Sequence, residues 1–171
     1  MTAALKSAAL KNGALKTVAV LTISDSSFLG TREDASGPAV VHELETAGFT
    51  IVHRSVLPDE RDKITARLIE CCEIVRLVVT TGGTGIAARD VTPEATLAVL
   101  ERRIEGIEQK MRQEGGKKTP FAVLSRGVCG IRGKSLLLNV PGSPAAAVDS
   151  LQAVIGILPH ALELLEGNTE H

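Results

Sequence analysis

The sequence predicts an α/β fold, a single three-layer α/β/α domain in which helices cover both faces of a mostly parallel sheet. Short apolar runs rich in β-branched residues alternate with longer segments whose apolar residues have helical spacing, and this alternation is typical of parallel sheets. Pro and Gly stand where several of these helices would begin or end. The 171 residues are enough for one domain with its own core, and no linker or internal repeat divides them.

The first half of the chain predicts two strands, each followed by a helix. The run "TVAVLTIS" (Thr17 to Ser24) predicts a buried first strand. After a loop of small and acidic residues, Pro38 opens a helix that ends at Gly48. "FTIVHRSVL" (residues 49–57) predicts the second strand, and "DERDKITARLIECCE" (residues 59–73) predicts the helix that follows it.

The middle of the chain predicts a third strand and two helices. "IVRLVVTT" (residues 74–81) is apolar apart from one arginine and two threonines, as a buried strand would be. Thr92 is predicted to cap a helix that has Pro93 at its first position and runs through "EATLAVLERR" (residues 94–103). "IEGIEQKMRQ" (residues 104–113) predicts another helix.

The last third predicts two strands and a long terminal helix. "FAVLS" (residues 121–125) and "KSLLLNV" (residues 134–140) have the composition of strands. The segment up to Gly167 is predicted as helix, with Ser143 as its cap and Pro144 at its first position.

The predicted domain comprises residues 17–167, with flexible tails at residues 1–16 and 168–171. The first sixteen residues are basic, lack acidic side chains and contain no long apolar segment or clear cleavage site. No apolar run reaches the roughly 18 residues of a membrane span. We therefore expect a cytoplasmic protein that does not enter a membrane.

Composition excludes several classes of function. The 19 Lys and Arg residues nearly balance the 20 Asp and Glu residues, for a net charge of -1, whereas general nucleic-acid binders usually carry a basic excess. The only aromatic residues are three Phe, too few for base stacking as a binding strategy. Cys71, Cys72 and Cys129 lack zinc-site spacing and predict buried, reduced thiols.

Small and polar residues follow the predicted strands, at the edge of the sheet where ligands bind in open α/β folds. They occur as Ser24 and Asp25, as the run from Thr81 to Asp90, and as the turn from Asn139 to Pro144. The last two segments lead into helix N-termini, which offer free N–H groups and partial positive charge to an anion.

The glycine-rich stretch "TTGGTG" allows two interpretations. Its glycines would let backbone amides approach a phosphate or a planar ring, and Thr81 and Thr84 add hydroxyls. Alternatively, the glycines serve only a tight turn. The stretch is not the GxGxxG dinucleotide pattern. "GVCGIRGKS" (residues 127–135) ends like a P-loop, but Val128 stands where that motif needs Gly, so we reject a P-loop nucleotidase.

Two carboxylates follow strands at the same edge. Asp59 lies in "LPDE" and Asp90 in "ARDVTPE". Taken singly, Asp59 has the alternative role of a helix cap and Asp90 that of an ion pair with Arg89. Together, two carboxylates beside an anion-binding loop indicate a divalent cation that is bound by oxygen ligands. Phosphate groups would complete its coordination shell.

Four motifs in order make the sequence resemble the MogA/MoaB family of molybdenum-cofactor biosynthesis: "LTISDSS", "VLPDE", "TTGGTGIAARDVTPEAT" and "SRGVCGIRGKSLLLNVPGSP". The resemblance covers residues 17–167 and is greatest to the molybdopterin adenylyltransferases and the G domain of gephyrin-type proteins. It implies that AMP is transferred from Mg-ATP to the terminal phosphate of molybdopterin, with release of pyrophosphate. The alternative is a MoaB-like molybdopterin carrier or scaffold without adenylylation activity.

The resemblance also implies roles for individual residues. Asp59 and Asp90 match the family's catalytic acids, and we expect them to hold Mg²⁺ as well. The residues expected to bind substrate or nucleotide are Ser24, Asp25, Thr81, Gly82, Gly83, Thr84, Gly85, Ser125, Asn139, Pro141, Gly142, Ser143 and Pro144. A homotrimer is implied too, and the resemblance leaves open whether a partner protein inserts the molybdenum.

Overall fold

The structure, a computed structural model, describes residues 15–167, so the predicted tails lie almost wholly outside the described residues. The strands of this part of the chain are β1 (Thr17–Ile23), β2 (Thr50–Leu57), β3 (Leu77–Thr81), β4 (Arg102–Arg103), β5 (Cys129–Arg132) and β6 (Ser135–Val140). They form one six-stranded sheet in the order β2-β1-β3-β6-β5-β4. β2, β1, β3 and β6 are parallel, and β5 and β4 extend the sheet in antiparallel fashion. The mostly parallel sheet is confirmed.

Helices pack on both faces of this sheet. They are α1 (Asp25–Phe28), α2 (Ser36–Thr46), α3 (Arg61–Cys72), α4 (Thr92–Leu97), α5 (Glu105–Gly116), α6 (Pro144–Gln152) and α7 (Leu158–Leu165), with a 3-10 helix at Pro120–Leu124. Because successive strand residues point to opposite faces, β1 contributes to two cores. Val18 and Val20 pack with α2, α5, α6 and α7. Ala19 and Leu21 pack with α3 and α4, which confirms the three layers.

The order of the strands determines where a ligand can enter. β1 has β2 on one side and β3 on the other, so the chain reverses its direction of winding at β1. In open α/β sheets the carboxyl ends of the strands leave a crevice at such a switch point. Here the crevice is bordered by the residues that follow β1 and β3.

The prediction for α4 was wrong at both ends. Val91 occupies the N-cap position, and Thr92 is a buried residue of the helix itself. Its hydroxyl donates to the carbonyl of Gly82 at 2.9 Å instead of capping the helix. The helix ends at Leu97, and the last two residues of the predicted helix, Arg102 and Arg103, form the edge strand β4 alongside β5.

Three predictions for the last third of the chain were also wrong. "FAVLS" is not a strand: Pro120 starts a 3-10 helix there, and Phe121 remains 74% exposed. The terminal helix is two helices, α6 and α7, although the Ser143 cap is confirmed by its 3.3 Å bond from the Ala146 N–H. β5 was missed; it forms a hairpin with β6 around Gly133, which confirms that "GVCGIRGKS" is not a P-loop.

The cysteines are free thiols, as predicted. Cys71 and Cys129 are fully buried and Cys72 is half-buried. Burial raises the pKa of Cys71 and of Cys129 to about 12 and that of Cys72 to about 11. Such thiols are almost entirely protonated at neutral pH and are poor nucleophiles.

Among residues 15–167, every helix is too short or too polar to span a membrane.

Candidate functional site

The glycine loop, defined here as residues 82–85, lies at the carboxyl end of β3 and contacts both neighbouring strand ends. Gly82 has a φ of +103°, and a Cβ at this position would stand 2.2 Å from the carbonyl oxygen of Ile23, where β1 ends. A Cβ on Gly142, after β6, would stand 3.1 Å from the Gly82 Cα. The backbone of the loop therefore fits between β1 and β6 only because these positions lack side chains.

The two predicted acids border this loop. A Cβ on Gly83 would lie 3.0 Å from Oδ1 of Asp59, and a Cβ on Gly85 would lie 2.8 Å from Oδ2 of Asp90. At Gly83 and Gly85 the loop backbone thus runs beside the two carboxylates with no side chain in between. The sequence prediction that Asp59, Asp90 and the glycines share one edge is matched by these contacts.

Asp59 joins the ends of β1 and β2 through a reciprocal pair of hydrogen bonds with Asp25. The N–H of Asp25 donates to Oδ2 of Asp59 at 2.8 Å, and the N–H of Asp59 donates to Oδ1 of Asp25 at 2.9 Å. Asp59 is not the cap of α3, since Glu60 occupies that position without a side-chain bond. Burial, and secondarily the charges of Asp25 and Asp90, raise the pKa of Asp59 above its ordinary value.

Arg89 forms its ion pair with Asp25 and not with Asp90. Its Nε and Nη2 donate to Oδ2 of Asp25 at 3.0 and 2.6 Å. The hydrogen bond from Arg89 is the main cause that lowers the pKa of Asp25. The alternative of an Arg89–Asp90 pair is wrong. Asp90 instead accepts the Ala87 N–H at Oδ2, 2.8 Å away, and its carboxylate has no cation bound to it in the described residues.

A cavity of about 540 Å³ opens beside the glycine loop. Nine of the predicted site residues line it: Gly83, Thr84, Gly85, Asp90, Ser125, Asn139, Pro141, Gly142 and Ser143. Ser24 and Pro144 line a second, much smaller cavity, and Gly142 lines both cavities. Asp25, Asp59, Thr81 and Gly82 line neither cavity.

Two of the predicted binding residues are engaged by the protein itself. Thr81 is fully buried, and its hydroxyl donates to the Pro141 carbonyl at 2.7 Å. Asn139 donates to the hydroxyls of Thr80 and Thr96 at 2.9 and 3.0 Å, and its Oδ1 accepts the Val128 N–H at 3.2 Å. These bonds tie the turn after β6 to β3 and α4. The structure therefore gives both side chains a part in the shape of the site.

Sequence analysis missed the wall opposite the glycine loop. It consists of α5, the 3-10 helix and the residues between them, and it contributes Arg112, Lys118 and Phe121 to the cavity. Arg112 donates to the Gly127 carbonyl at 3.3 Å, and Lys118 is paired with Asp149. The signal available in the sequence was weak, because these residues stand in a segment of mixed charge with no motif.

A buried carboxylate forms the base of this wall. The side chain of Glu108 is 2% exposed and is held by Arg103 at 2.7 Å and Arg112 at 3.7 Å. It also accepts the N–H of Cys129 at 3.1 Å. Because its charge is paired and its oxygens are hydrogen-bonded, the buried Glu108 anchors α5 to the edge of the sheet.

The residues present fit a cation that a ligand helps to hold. No group of three or more His, Cys, Asp or Glu side chains in residues 15–167 could hold a metal ion alone. Asp59 and Asp90 nevertheless bring two carboxylates to the glycine loop, close enough that the charge of Asp90 contributes to the raised pKa of Asp59. Mg²⁺ commonly takes one or two carboxylates and completes its shell with phosphates and water.

A family model described as "Probable molybdopterin binding domain" matches residues 19–160 of this chain. A curated relative named "Molybdopterin adenylyltransferase", from Helicobacter pylori, is 41% identical over 152 residues, which cover 86% of this chain and 86% of the relative. The Drosophila melanogaster "Molybdenum cofactor synthesis protein cinnamon" is 43% identical over 149 residues. That match covers 85% of this chain, which spans only 25% of the longer protein.

Solved structures share the fold. The crystal structure of the "Molybdopterin biosynthesis enzyme MoaB" from Thermus thermophilus superposes with a TM-score of 0.82 at 46% identity. The match covers 88% of this chain and 96% of that one. The likeness therefore extends over most of the chain.

Proposed function

This chain belongs to the family of probable molybdopterin binding domains, and we propose that it is a molybdopterin adenylyltransferase of molybdenum-cofactor synthesis. In this reaction AMP passes from ATP to the terminal phosphate of molybdopterin, and pyrophosphate leaves. Relatives named for this activity are about as long as this chain and are 38–41% identical to it. We assign the activity to residues 17–167.

The observation that carries the proposal is the cavity beside the glycine loop. Its volume of about 540 Å³ lies within the range of about 300–1,000 Å³ usual for small-molecule sites. One wall offers backbone amides and the N-terminus of α6, whose cap Ser143 lines the cavity; both favour a phosphate group. The other wall adds Met111 and Phe121, which suit the planar ring of a pterin.

The proposed mechanism relies on positioning and charge. The terminal phosphate of molybdopterin attacks the α-phosphorus of ATP in line, and the bond from that phosphorus to the pyrophosphate oxygen breaks. A phosphate monoester is already ionised near neutral pH, so the protein need not supply a strong base. Holding the two reactants in line can provide roughly 7–11 kcal/mol of such a barrier.

Asp59 and Asp90 would hold Mg²⁺, which supplies positive charge against the triphosphate. The glycine loop would orient the acceptor phosphate, helped by the hydroxyls of Thr84 and Ser125. Arg89, which reaches Asp25 at the outer rim, would offset charge on the departing pyrophosphate. Ser24 and Pro144, in the second cavity, would contact the nucleotide, together with Asp25, which follows Ser24 in the chain.

The test is pyrophosphate release from Mg-ATP, measured with and without molybdopterin, together with calorimetric binding of each ligand. We expect release that depends on molybdopterin and is lost in Asp59→Ala and Asp90→Ala. Tight molybdopterin binding without any pyrophosphate release would contradict the proposal and would favour a carrier or scaffold. A requirement for Mg²⁺ is tested in the same assay by removing the ion with EDTA.

We further propose that the protein works as a homotrimer in the cytoplasm. Large apolar side chains that one chain leaves exposed support association, among them Leu29 (72%), Ile86 (70%) and Val123 (70%). Free, buried thiols are usual in a reducing compartment. A separate partner for molybdenum insertion is compatible with this proposal.

Light scattering is expected to give a mass of about 54 kDa, three times the 17.9 kDa of the chain. Disrupting the interface by mutation should reduce this mass: Val123→Asp would place an unpaired charge in a covered apolar contact. Lys134→Ala is a suitable control, since it also makes the net charge more negative by one unit and affects only the pair with Glu166 at the opposite end of the sheet. A mass near 18 kDa for the wild type would refute the trimer.

A further inference from the structure

We propose that Arg126 is a positioning residue, which holds the segment from Thr84 to Glu94 in the shape that presents the Asp90 carboxylate to the reacting phosphates. The proposal deepens the adenylyltransferase function above and rests on it. Arg126 follows the 3-10 helix in the chain and is far from the glycine loop in sequence. It is not itself among the residues that line the cavity.

The contacts of Arg126 all converge on this one segment. Its backbone N–H donates to the carbonyl of Thr84 at 2.9 Å. Its Nε donates to the carbonyl of Gly85 at 2.6 Å, and its Nη2 donates to the carbonyl of Asp90 at 2.6 Å. A single guanidinium thus joins the start and the end of the loop that carries the catalytic acid.

Glu94 fixes the orientation of this guanidinium. The carboxylate of Glu94, on α4, forms an ion pair with Nη1 of Arg126 and accepts from Nη2 at 3.4 Å. The hydrogen bond from Arg126 is the main cause that lowers the pKa of Glu94. Because α4 is packed into the core through Ala95, the ion pair connects the loop to a rigid part of the fold.

The Asp90 side chain depends on the same geometry. Its Oδ2 accepts the N–H of Ala87, while the N–H of Asp90 donates to the carbonyl of Ala87 at 2.9 Å. This small turn lies between the two carbonyls that Arg126 holds. If the guanidinium were removed, the carbonyls of Gly85 and Asp90 would lose a shared donor, and the turn would no longer be fixed relative to Asp59.

Lysine cannot replace Arg126 in this role. The guanidinium offers its N–H groups in a planar fork, which reaches two carbonyls and a carboxylate at once. A lysine ammonium is a single point of charge, and it would satisfy one or two of these acceptors. The geometry therefore predicts that Arg126→Lys behaves nearly like Arg126→Ala, although the charge is kept.

The experiment measures the rate of AMP transfer, the KM for ATP, the Kd for molybdopterin and the hydrogen exchange of residues 84–94. For both Arg126→Ala and Arg126→Lys we expect kcat to fall by about 100-fold, the usual effect of misplacing a reacting group by about 1 Å. The Kd for molybdopterin should change by less than about threefold, and the amides of residues 87 and 90 should exchange at least about tenfold faster. Arg132→Lys is the matched control, because Arg132 also donates to a backbone carbonyl, that of Val99 at 3.1 Å, away from the cavity.

A double variant separates action through Asp90 from an independent role. If Arg126 acts through Asp90, then Arg126→Ala in an Asp90→Asn background should slow the residual reaction by no more than about twofold. If Arg126→Ala lowered the rate in the Asp90→Asn background by as large a factor as in the wild-type background, the inference would be overturned. A wild-type rate in Arg126→Ala would overturn it too, as would a fall in molybdopterin affinity that matches the fall in kcat. A wild-type enzyme that releases no pyrophosphate would instead refute the proposed function.

Discussion

Replacing Asp90 by Asn is expected to lower kcat by at least about 100-fold, the loss typical when one charge-stabilising group is removed from an active site. The change is nearly isosteric, and an amide oxygen can still accept the Ala87 N–H that now reaches Oδ2 at 2.8 Å. The turn should therefore keep its shape while the negative charge disappears. By the proposed mechanism, the variant then loses the electrostatic attraction of Asp90 for Mg²⁺ and for the triphosphate that the ion accompanies.

The affinity for molybdopterin should change much less, by under about threefold, because the proposed contacts of the pterin are with backbone amides and the opposite wall. Calorimetry for the Kd and pyrophosphate release for kcat would measure the two effects separately. Asp62→Asn is the matched control, because it removes the same charge from an exposed side chain in the first turn of α3. If Asp90→Asn greatly weakened molybdopterin binding while saturated enzyme still turned over normally, Asp90 would be a binding residue.

The sequence allowed the architecture to be predicted where local pattern and tertiary environment agree. The segments that form β1 and β6 are buried along their whole length, because helices cover both faces of the sheet. Such continuous apolar runs can be recognised in the sequence without coordinates. "FAVLS" has the same composition, yet Pro120 and the Thr119 cap turn it into an exposed 3-10 helix. Composition alone does not distinguish a buried strand from an exposed apolar turn.

The limits of the α4 prediction have a different cause. The apolar spacing of residues 94–103 is compatible with a continuous helix, but the N–H groups of Glu101 and Ile104 find partners in the carbonyls of Ile131 and Cys129 at 2.8 Å. A missed strand, β5, supplied those partners. One error in the sequence analysis therefore produced the other, as non-local pairing overrides local helix propensity.

For the site, the acids and the glycine loop could be placed at one edge because the carboxyl ends of parallel strands meet there. Their partners could not be predicted. The Asp25–Asp59 and Arg89–Asp25 contacts join residues that lie 34 and 64 positions apart in the chain, and no sequence pattern indicates such pairs. Their assignment as catalytic and ligand-binding residues stays a prediction that the proposed variants test.

The glycine loop does serve a tight turn, whereas the approach of its amides to a phosphate or a planar ring stays a prediction. Gly82 is required by backbone geometry, since its φ of +103° is one that L side chains rarely adopt. Glycine is also required at this position because the nearest atoms belong to the backbone of Ile23 and not to a side chain that could move aside. A loop that satisfies both demands holds Gly83 and Gly85 beside the two acids.

Gly82→Ala is accordingly expected to lower the free energy of unfolding by about 2–5 kcal/mol and to abolish AMP transfer. The left-handed backbone conformation accounts for about 1–2 kcal/mol of this. Relieving a methyl group placed 2.2 Å from the Ile23 carbonyl accounts for about 1–3 kcal/mol more, as in other overpacked sites. The backbone must shift to make room, and this shift would move the glycine loop away from Asp59. Urea denaturation and pyrophosphate release measure the two effects.

Gly30→Ala separates the two causes, because Gly30 has a φ of +72° but no atom within 4 Å of its hypothetical Cβ. This control should lose only the conformational part, about 1–2 kcal/mol, and should remain fully active. If Gly82→Ala lowered the free energy of unfolding by no more than Gly30→Ala does, the close approach to β1 would not be the reason for a glycine at position 82. If Gly82→Ala were as unstable as expected but retained normal turnover at low temperature, the loop could shift without harm, and the proposal that its backbone orients the acceptor phosphate would fail. Both variants keep every titratable group, so a change in activity can be attributed to the position of the loop and not to charge.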